Sequence, residues 1–261
     1  MYFTQDRNQF TYFPQAMLLN HFQWQLDQRS TLGGGITAAI NMSLLTGAAA
    51  FVEATTKNFL LGHIQDAKVR NANSPDVPTL FDALLATTHG QLLGSAWASL
   101  AQAYTSLIGR KPTQNAQESE AIQTLFTFRN ELVHGKQIHA TITDGKVSYQ
   151  HKYQVVSDYL LKVKVVDQLL LVETNGSALL SDIVTDYFLG KALAFAYHLL
   201  DNAGDAGLPA RNQLASNIFW MFRVPTLRQL MIDNGINIEF DHTDAAGNPL
   251  QNVTRPDIPI Y

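Results

Sequence analysis

From Ser30 to Val52 the chain carries no charged side chain. No other stretch constrains the fold as strongly, because so apolar a run has few environments open to it. A membrane span needs about 20 predominantly apolar residues, and this run is long enough. Its composition points elsewhere: Thr31, Thr37, Asn41, Ser43 and Thr46 interrupt it, and Gly33, Gly34 and Gly35 stand near its start. The spacing predicts a helix over about 36–64, with Ile40, Leu44, Leu45, Phe51, Val52, Phe59 and Leu60 on its buried side. Ala48, Ala49 and Ala50 allow other helices to pack closely against it. The expectation is an all-α protein built around an internal helix rich in Ala and Gly, with no membrane contact.

The flanking sequence extends that picture. Pro14 suits the first turn of a helix running to about Gln28, after an irregular or weakly extended start. Residues 71–78 (NANSPDVP) form a loop by composition. Short and longer helices are expected over 79–87 and 91–108, and then a turn over 109–115. A further helix begins near Glu118. Beyond it the period changes: two alternating runs between Ile138 and Tyr153, joined by Asp144-Gly145, signal a β-hairpin. Helical periodicity returns over 154–163 and 179–200, while 164–178 fits either state. Gly204 to Pro209 is a breaker cluster, with Asp201 and Asp205 reading as part of a turn. Short helices follow near 211–222, where Trp220 and Phe222 read as core or interface, and near 225–234. An irregular tail runs over 240–261. Three segments are expected: an N-terminal helical segment over 1–35, an antiparallel helical bundle with an inserted hairpin over 36–203, and a C-terminal helical extension over 204–261.

Composition excludes several classes of chemistry. The absence of Cys removes disulfides and thiolate catalysis. The N-terminus lacks the basic-then-apolar layout of a signal peptide, and a cytoplasmic location is expected. A net charge of −4 argues against non-specific nucleic-acid affinity over the whole surface, though not against a local basic cleft. The histidines show no metal-ligand spacing with carboxylates, so no metal is assigned. No phosphate-binding loop, dinucleotide fingerprint or nucleophile elbow is present, and no cofactor is expected.

One stretch concentrates polar groups at a helix end: FRNELVHGK, residues 128–136. Ile122, Leu125, Phe126, Leu132 and Val133 recur at helical spacing, and position 129 falls on their stripe. It holds Arg129, and a guanidinium facing inward is unfavourable unless paired or placed in a polar cleft. Asn130 and His134 are four apart and share a face. Gly135 reads as the terminating residue. An ordinary helix end accounts for His134 and Gly135, since a histidine in the last turn favours the dipole. It does not account for Arg129, nor for Asn130 one turn before the histidine. Histidine, with an ordinary pKa of about 6.5, exchanges protons near neutrality. Arginine offers a fork of donors suited to phosphate, and asparagine can orient an imidazole. Together these are a minimal set for cleaving RNA through its own 2′-hydroxyl without a metal.

The run R-N-x-x-x-H formed by Arg129, Asn130 and His134, followed by glycine, resembles the signature of the HEPN superfamily. The likeness covers about residues 36–200. It implies an antiparallel helical bundle with the motif near the end of a core helix. It implies a metal-independent endoribonuclease of toxin–antitoxin, abortive-infection or other antiviral systems, leaving 2′,3′-cyclic phosphate and 5′-hydroxyl ends. It further implies a homodimer in which the motifs of two protomers form one composite site, and an antitoxin or inhibitor protein as a possible partner. On that resemblance His134 is the general base or acid, Arg129 the phosphate-binding group and Asn130 its polar partner.

Around the motif, Lys136, Lys146 and Lys152 are candidates for a basic rim, though solvated lysines are the plainer reading. His139 is a candidate auxiliary RNA contact or an ordinary strand residue. Glu53 and Lys57 suggest an exposed i,i+4 ion pair, or else a contact supporting Arg129. A different class of function is also open: a non-catalytic module in which the motif stabilises a dimer or binds a nucleotide or partner protein. Residues 204–261 could separately recruit a partner.

Overall fold

The structure, a computed structural model, describes residues 2–3, 10–11, 14–33, 35–70, 97–205 and 225–233. Two short strands open it, β1 (Tyr2–Phe3) and β2 (Phe10–Thr11), paired antiparallel. Helices α1 (Pro14–Arg29) and α2 (Gly35–Arg70) follow, then α3 (Trp97–Ile108) and α4 (Ala116–Val133). A hairpin of β3 (Ala140–Thr143) and β4 (Lys146–Tyr149) leads to α5 (Tyr153–Lys162) and α6 (Gln168–Glu173). A 3₁₀ turn (Ser177–Leu180), the long α7 (Asp182–Asp205) and α8 (Pro225–Asp233) complete the described elements. The fold is mostly helical with a small antiparallel hairpin, as expected.

The uncharged run lies inside α2, and α2 is the axis of the bundle. It packs against α1, α3, α4 and α7. Leu44, Leu45, Phe51, Val52 and Leu60 are fully or almost fully buried, facing a core that includes Phe188, Leu189 and Leu193 of α7. Each such side chain contributes roughly 1.5–3 kcal/mol by leaving water. Residues Gly35–Leu61 are long and apolar enough, by length and composition, to cross a membrane. In the fold 39% of that apolar window is buried, and α2 packs against α1, α3, α4 and α7. Gly47 sets the α1–α2 distance, since a Cβ there would lie 2.7 Å from the Phe22 ring.

The polar residues of the run have partners. Buried Asn41 donates to the Leu180 carbonyl and to Asp182 Oδ1, each at 2.8 Å, and accepts from Arg29 Nη1 at 3.1 Å. Arg29 in turn grips Asp186 through both carboxylate oxygens, at 2.7 and 2.9 Å. This network ties α1, α2 and α7 together. It satisfies groups that would be costly to bury alone.

The helix boundaries follow local chemistry. Asn115 caps α4, accepting the Glu118 N–H at 2.9 Å, while the Glu118 carboxylate accepts the Gln114 N–H at 2.6 Å. This is a capping-box arrangement shifted by one residue. The hairpin turns through Asp144 and Gly145, both at positive φ, which matches the twist of the strands it joins. Residues 164–178, ambiguous by pattern, contain α6 and the start of the 3₁₀ turn.

Two expectations need adjustment or fall elsewhere. The backbone of α7 continues helical through Asp205, so Asp201 and Asp205 lie on a helix and not in a turn. Gly204 alone is tolerated near a helix end. The helices expected over 79–87 and 211–222, with Trp220 and Phe222, and the tail over 240–261 lie outside the described residues. Helix α8 packs on α7, burying Leu227 and Met231.

Candidate functional site

The motif occupies the C-terminal end of α4. His134 is the C-cap, and its N–H bonds the Asn130 carbonyl at 3.1 Å. Gly135, at φ +64, donates to the Leu132 carbonyl, and Lys136 N–H donates to the Glu131 carbonyl. That pair of bonds is a Schellman motif, which Gly135 makes possible by adopting the left-handed region without strain.

The helix is rotated relative to the expected stripe. Phe128, absent from that stripe, is fully buried against Tyr153 and Phe188, with ring centroids 6.0 and 6.1 Å away. Val133, placed on the stripe, is 58% exposed. Arg129 is therefore half-buried at the edge of the apolar face and not inside it. Its Nη1 donates to Asn130 Oδ1 at 3.1 Å. The arginine needs no buried counter-ion, because its head lies at the margin where the bundle meets solvent. Asn130 and His134 are exposed. Among the described residues the His134 imidazole makes no hydrogen bond or ion pair. The structure thus joins Arg129 to Asn130 and leaves His134 beside them on the same accessible helix end.

Beneath this end lies a charge pair that the sequence pattern does not reveal. Glu131 is 3% exposed, and its carboxylate holds Lys136 Nζ at 3.0 and 3.2 Å. Burial pushes the Glu131 carboxyl up, but the Lys136 hydrogen bond and charge outweigh it and hold the group below the usual carboxylate range. The hydroxyl of buried Tyr153 donates to the Lys136 carbonyl at 2.7 Å, fixing the chain just past the helix. Lys136, a candidate RNA contact, is thus engaged with Glu131. His139 is exposed in the segment before β3, its carbonyl accepting the Gln150 N–H. Lys146 lies in β4 and Lys152 at the start of α5. Glu53 and Lys57 pair at 3.8 Å, as their spacing suggests, but both side chains are partly buried and not exposed.

The opposite end of α4 is anchored to the bundle. Glu118 Oε1 lies 2.7 Å from His198 Nδ1 of α7. Nearby, Tyr159 and Tyr187 share a hydrogen bond of 2.6 Å, and burial pushes both phenols up. Lys191 sits over the Tyr187 ring, and burial pulls its ammonium down. Among the described residues no cluster of His, Asp and Glu is arranged to hold a metal ion.

A feature that motif reading missed is an open groove of about 1080 Å³ between α4, α5 and the 109–115 turn. Its lining includes Lys111, Gln114, Ser119, Gln123 and Thr127. A signal existed: the outer face of α4 carries neutral amides and hydroxyls where a merely solvated face usually carries charges. No family model, no curated protein and no solved structure matches this chain. The fold and the motif end define a helical protein with an accessible Arg–Asn–His cluster.

Proposed function

We propose that the protein is a dimeric, metal-independent endoribonuclease of the HEPN type, serving prokaryotic toxin–antitoxin or antiviral defence. One observation carries this reading: a guanidinium, an amide and an imidazole share one solvent-accessible helix end, with Arg129 already turned to Asn130. In the reaction His134 removes the proton of the ribose 2′-hydroxyl. The resulting oxygen attacks the adjacent phosphorus, and the bond from phosphorus to the 5′ oxygen breaks. The products are a 2′,3′-cyclic phosphate and a 5′-hydroxyl. Arg129 balances the charge that accumulates on the phosphoryl oxygens. The leaving oxygen needs a proton, and His134 of a second copy supplies it. Exposed Val133, next to the histidine, supports such a contact, being an apolar side chain left in water in a single chain.

The test is RNA cleavage in the presence of chelator by the wild type, His134→Ala and Arg129→Ala. Wild type cleaves, and each variant loses about 10²-fold or more. Because the exposed His134 side chain makes no hydrogen bond or ion pair among the described residues, its truncation should shift stability by no more than about 0.5 kcal/mol. Equal cleavage by all three proteins overturns the assignment. A second reading, a non-catalytic dimerisation, nucleotide-binding or protein-interaction module, is favoured by Asn130 Oδ1 being bonded to Arg129 and not to the imidazole. Under it, His134→Ala weakens self-association and no RNA turnover occurs with any form.

A further inference from the structure

We infer that the groove between α4 and α5 is the track for single-stranded RNA leading to His134, an inference that deepens the nuclease reading and rests on it. The floor of the groove and the motif belong to one helix face. Ala116, Glu120, Gln123 and Thr127 line the groove, and Asn130 and His134 continue the same three- and four-residue steps. At 1.5 Å of rise per residue, His134 lies about 10 Å beyond Thr127. A ligand lying in the groove and extending along this face arrives at the motif.

The lining suits a polyanion with hydrogen-bonding bases. Arg110 and Lys111 stand at the turn end, and Lys162 stands on α5. Of the two carboxylates, Glu120 is already neutralised by Lys162, with both oxygens at 2.7 Å. Asp158 accepts the Gln154 amide at 2.7 Å. With Lys162 committed to Glu120, Arg110 and Lys111 face the charge of Asp158, a local excess of one positive charge on a chain whose net charge is −4. Among the described residues, the side chains of Lys111, Gln114 and Gln123 make no hydrogen bond or ion pair. A lysine in that state is available to phosphate, and amides in that state can meet base edges. At about 1080 Å³ the groove lies just above the usual range for small-ligand pockets, and it opens to solvent. A neutral or acidic small molecule would leave much of that polar lining unused.

The experiment measures binding of a fluorescein-labelled single-stranded oligoribonucleotide by fluorescence anisotropy, across a salt series. All proteins are full-length and carry His134→Ala so that the RNA stays intact. Lys111→Ala is expected to weaken binding and to make the log–log salt slope shallower by about 0.7, the value of one single-strand phosphate contact. Gln123→Ala is expected to change the ranking of oligonucleotides of different sequence. Lys164→Ala, a cation outside the groove, is the control and should change neither. RNA binding that is indifferent to Lys111 and Gln123, or equally weakened by Lys164→Ala, overturns the proposal. So does a Lys111-dependent site that takes an acidic peptide and excludes RNA. Thermal melts check folding of each variant, and Lys111→Gln serves if the alanine form melts early. If the wild type cleaves RNA while groove variants bind it normally, the groove fails and the nuclease reading stands. If nothing is cleaved but Lys111 and Gln123 govern RNA binding, the reverse holds.

Discussion

Replacing Lys136 with methionine removes the ammonium that faces Glu131 and keeps the aliphatic stem. The Glu131 side chain is 4% exposed and that of Lys136 is 40% exposed, so one partner is buried and the other reaches solvent. Stranding one member of a fully buried pair costs about 3–5 kcal/mol, whereas exposed pairs contribute about 0–1 kcal/mol. The half-wet geometry places Lys136→Met between them, at about 2 kcal/mol, or a fall in Tm of roughly 4–8 °C for a chain this long. The pH dependence fixes the mechanism. In the wild type the folded-state pKa of Glu131 is below its ordinary value, so the pair stabilises above the carboxylate range and the contribution is lost as pH falls through it. Without Lys136, burial, which pushes the carboxyl up, is opposed only by the Lys152 backbone hydrogen bond and the nearby His151, so the variant loses most of what stabilises the charged carboxylate and is relieved once Glu131 is protonated. The gap between the proteins should be full at pH 7 and should close on acidification through the carboxylate range. Urea unfolding at a series of pH values measures it. A gap that stays constant with pH would refute the electrostatic account and leave lost packing of the lysine stem as the cause.

Other perturbations address the frame around the site. Gly176→Ala places a Cβ at φ +80 and 2.5 Å from the Ala140 Cβ, with Tyr149 also close. Left-handed strain and overpacking together should cost about 3 kcal/mol, read as a lower urea midpoint. Arg29→Met strands Asp186 and the Asn41 carbonyl oxygen, and about 2–3 kcal/mol should be lost because Asp186 retains some water. Burial already holds the Asp186 carboxyl above its usual range despite Arg29, so the Arg29→Met deficit should grow as pH rises through that range and then level off. Calorimetry at three pH values checks both size and direction.

Much of the bundle is legible from residues alone because helices and hairpins leave local marks. Pro14 and Gly135 punctuate helix ends, and Asp144-Gly145 marks the hairpin. The apolar run around Leu44 and Phe51 announces a core helix. What stays hidden depends on rotation and on distance along the chain. Phe128 and Val133 are both apolar, and only packing against Tyr153 and Phe188 shows that the first is buried and the second is not. Arg129 therefore looks like a buried charge in the pattern and is a marginal one in space. The Glu118–His198 and Glu131–Lys136 contacts give no periodic signal, and neither does a groove whose walls lie between residues 110 and 162. The Arg129, Asn130 and His134 cluster was visible as a motif; its accessibility was not.

The central position of α2 also sets the order in which the chain can be made. Its apolar surface is covered in large part by α7, which begins at Asp182, while α2 itself ends at Arg70. At about 5–20 residues per second of synthesis, several seconds separate the release of that surface from the arrival of its cover. During that interval α2 has α1 beside it, and later α3 and α4, but not the helix that covers it most extensively. A nascent chain stalled between these helices is therefore a substrate for chaperones or for aggregation. Synonymous codon changes that slow translation across α4 to α6 should lower soluble yield without altering a single residue.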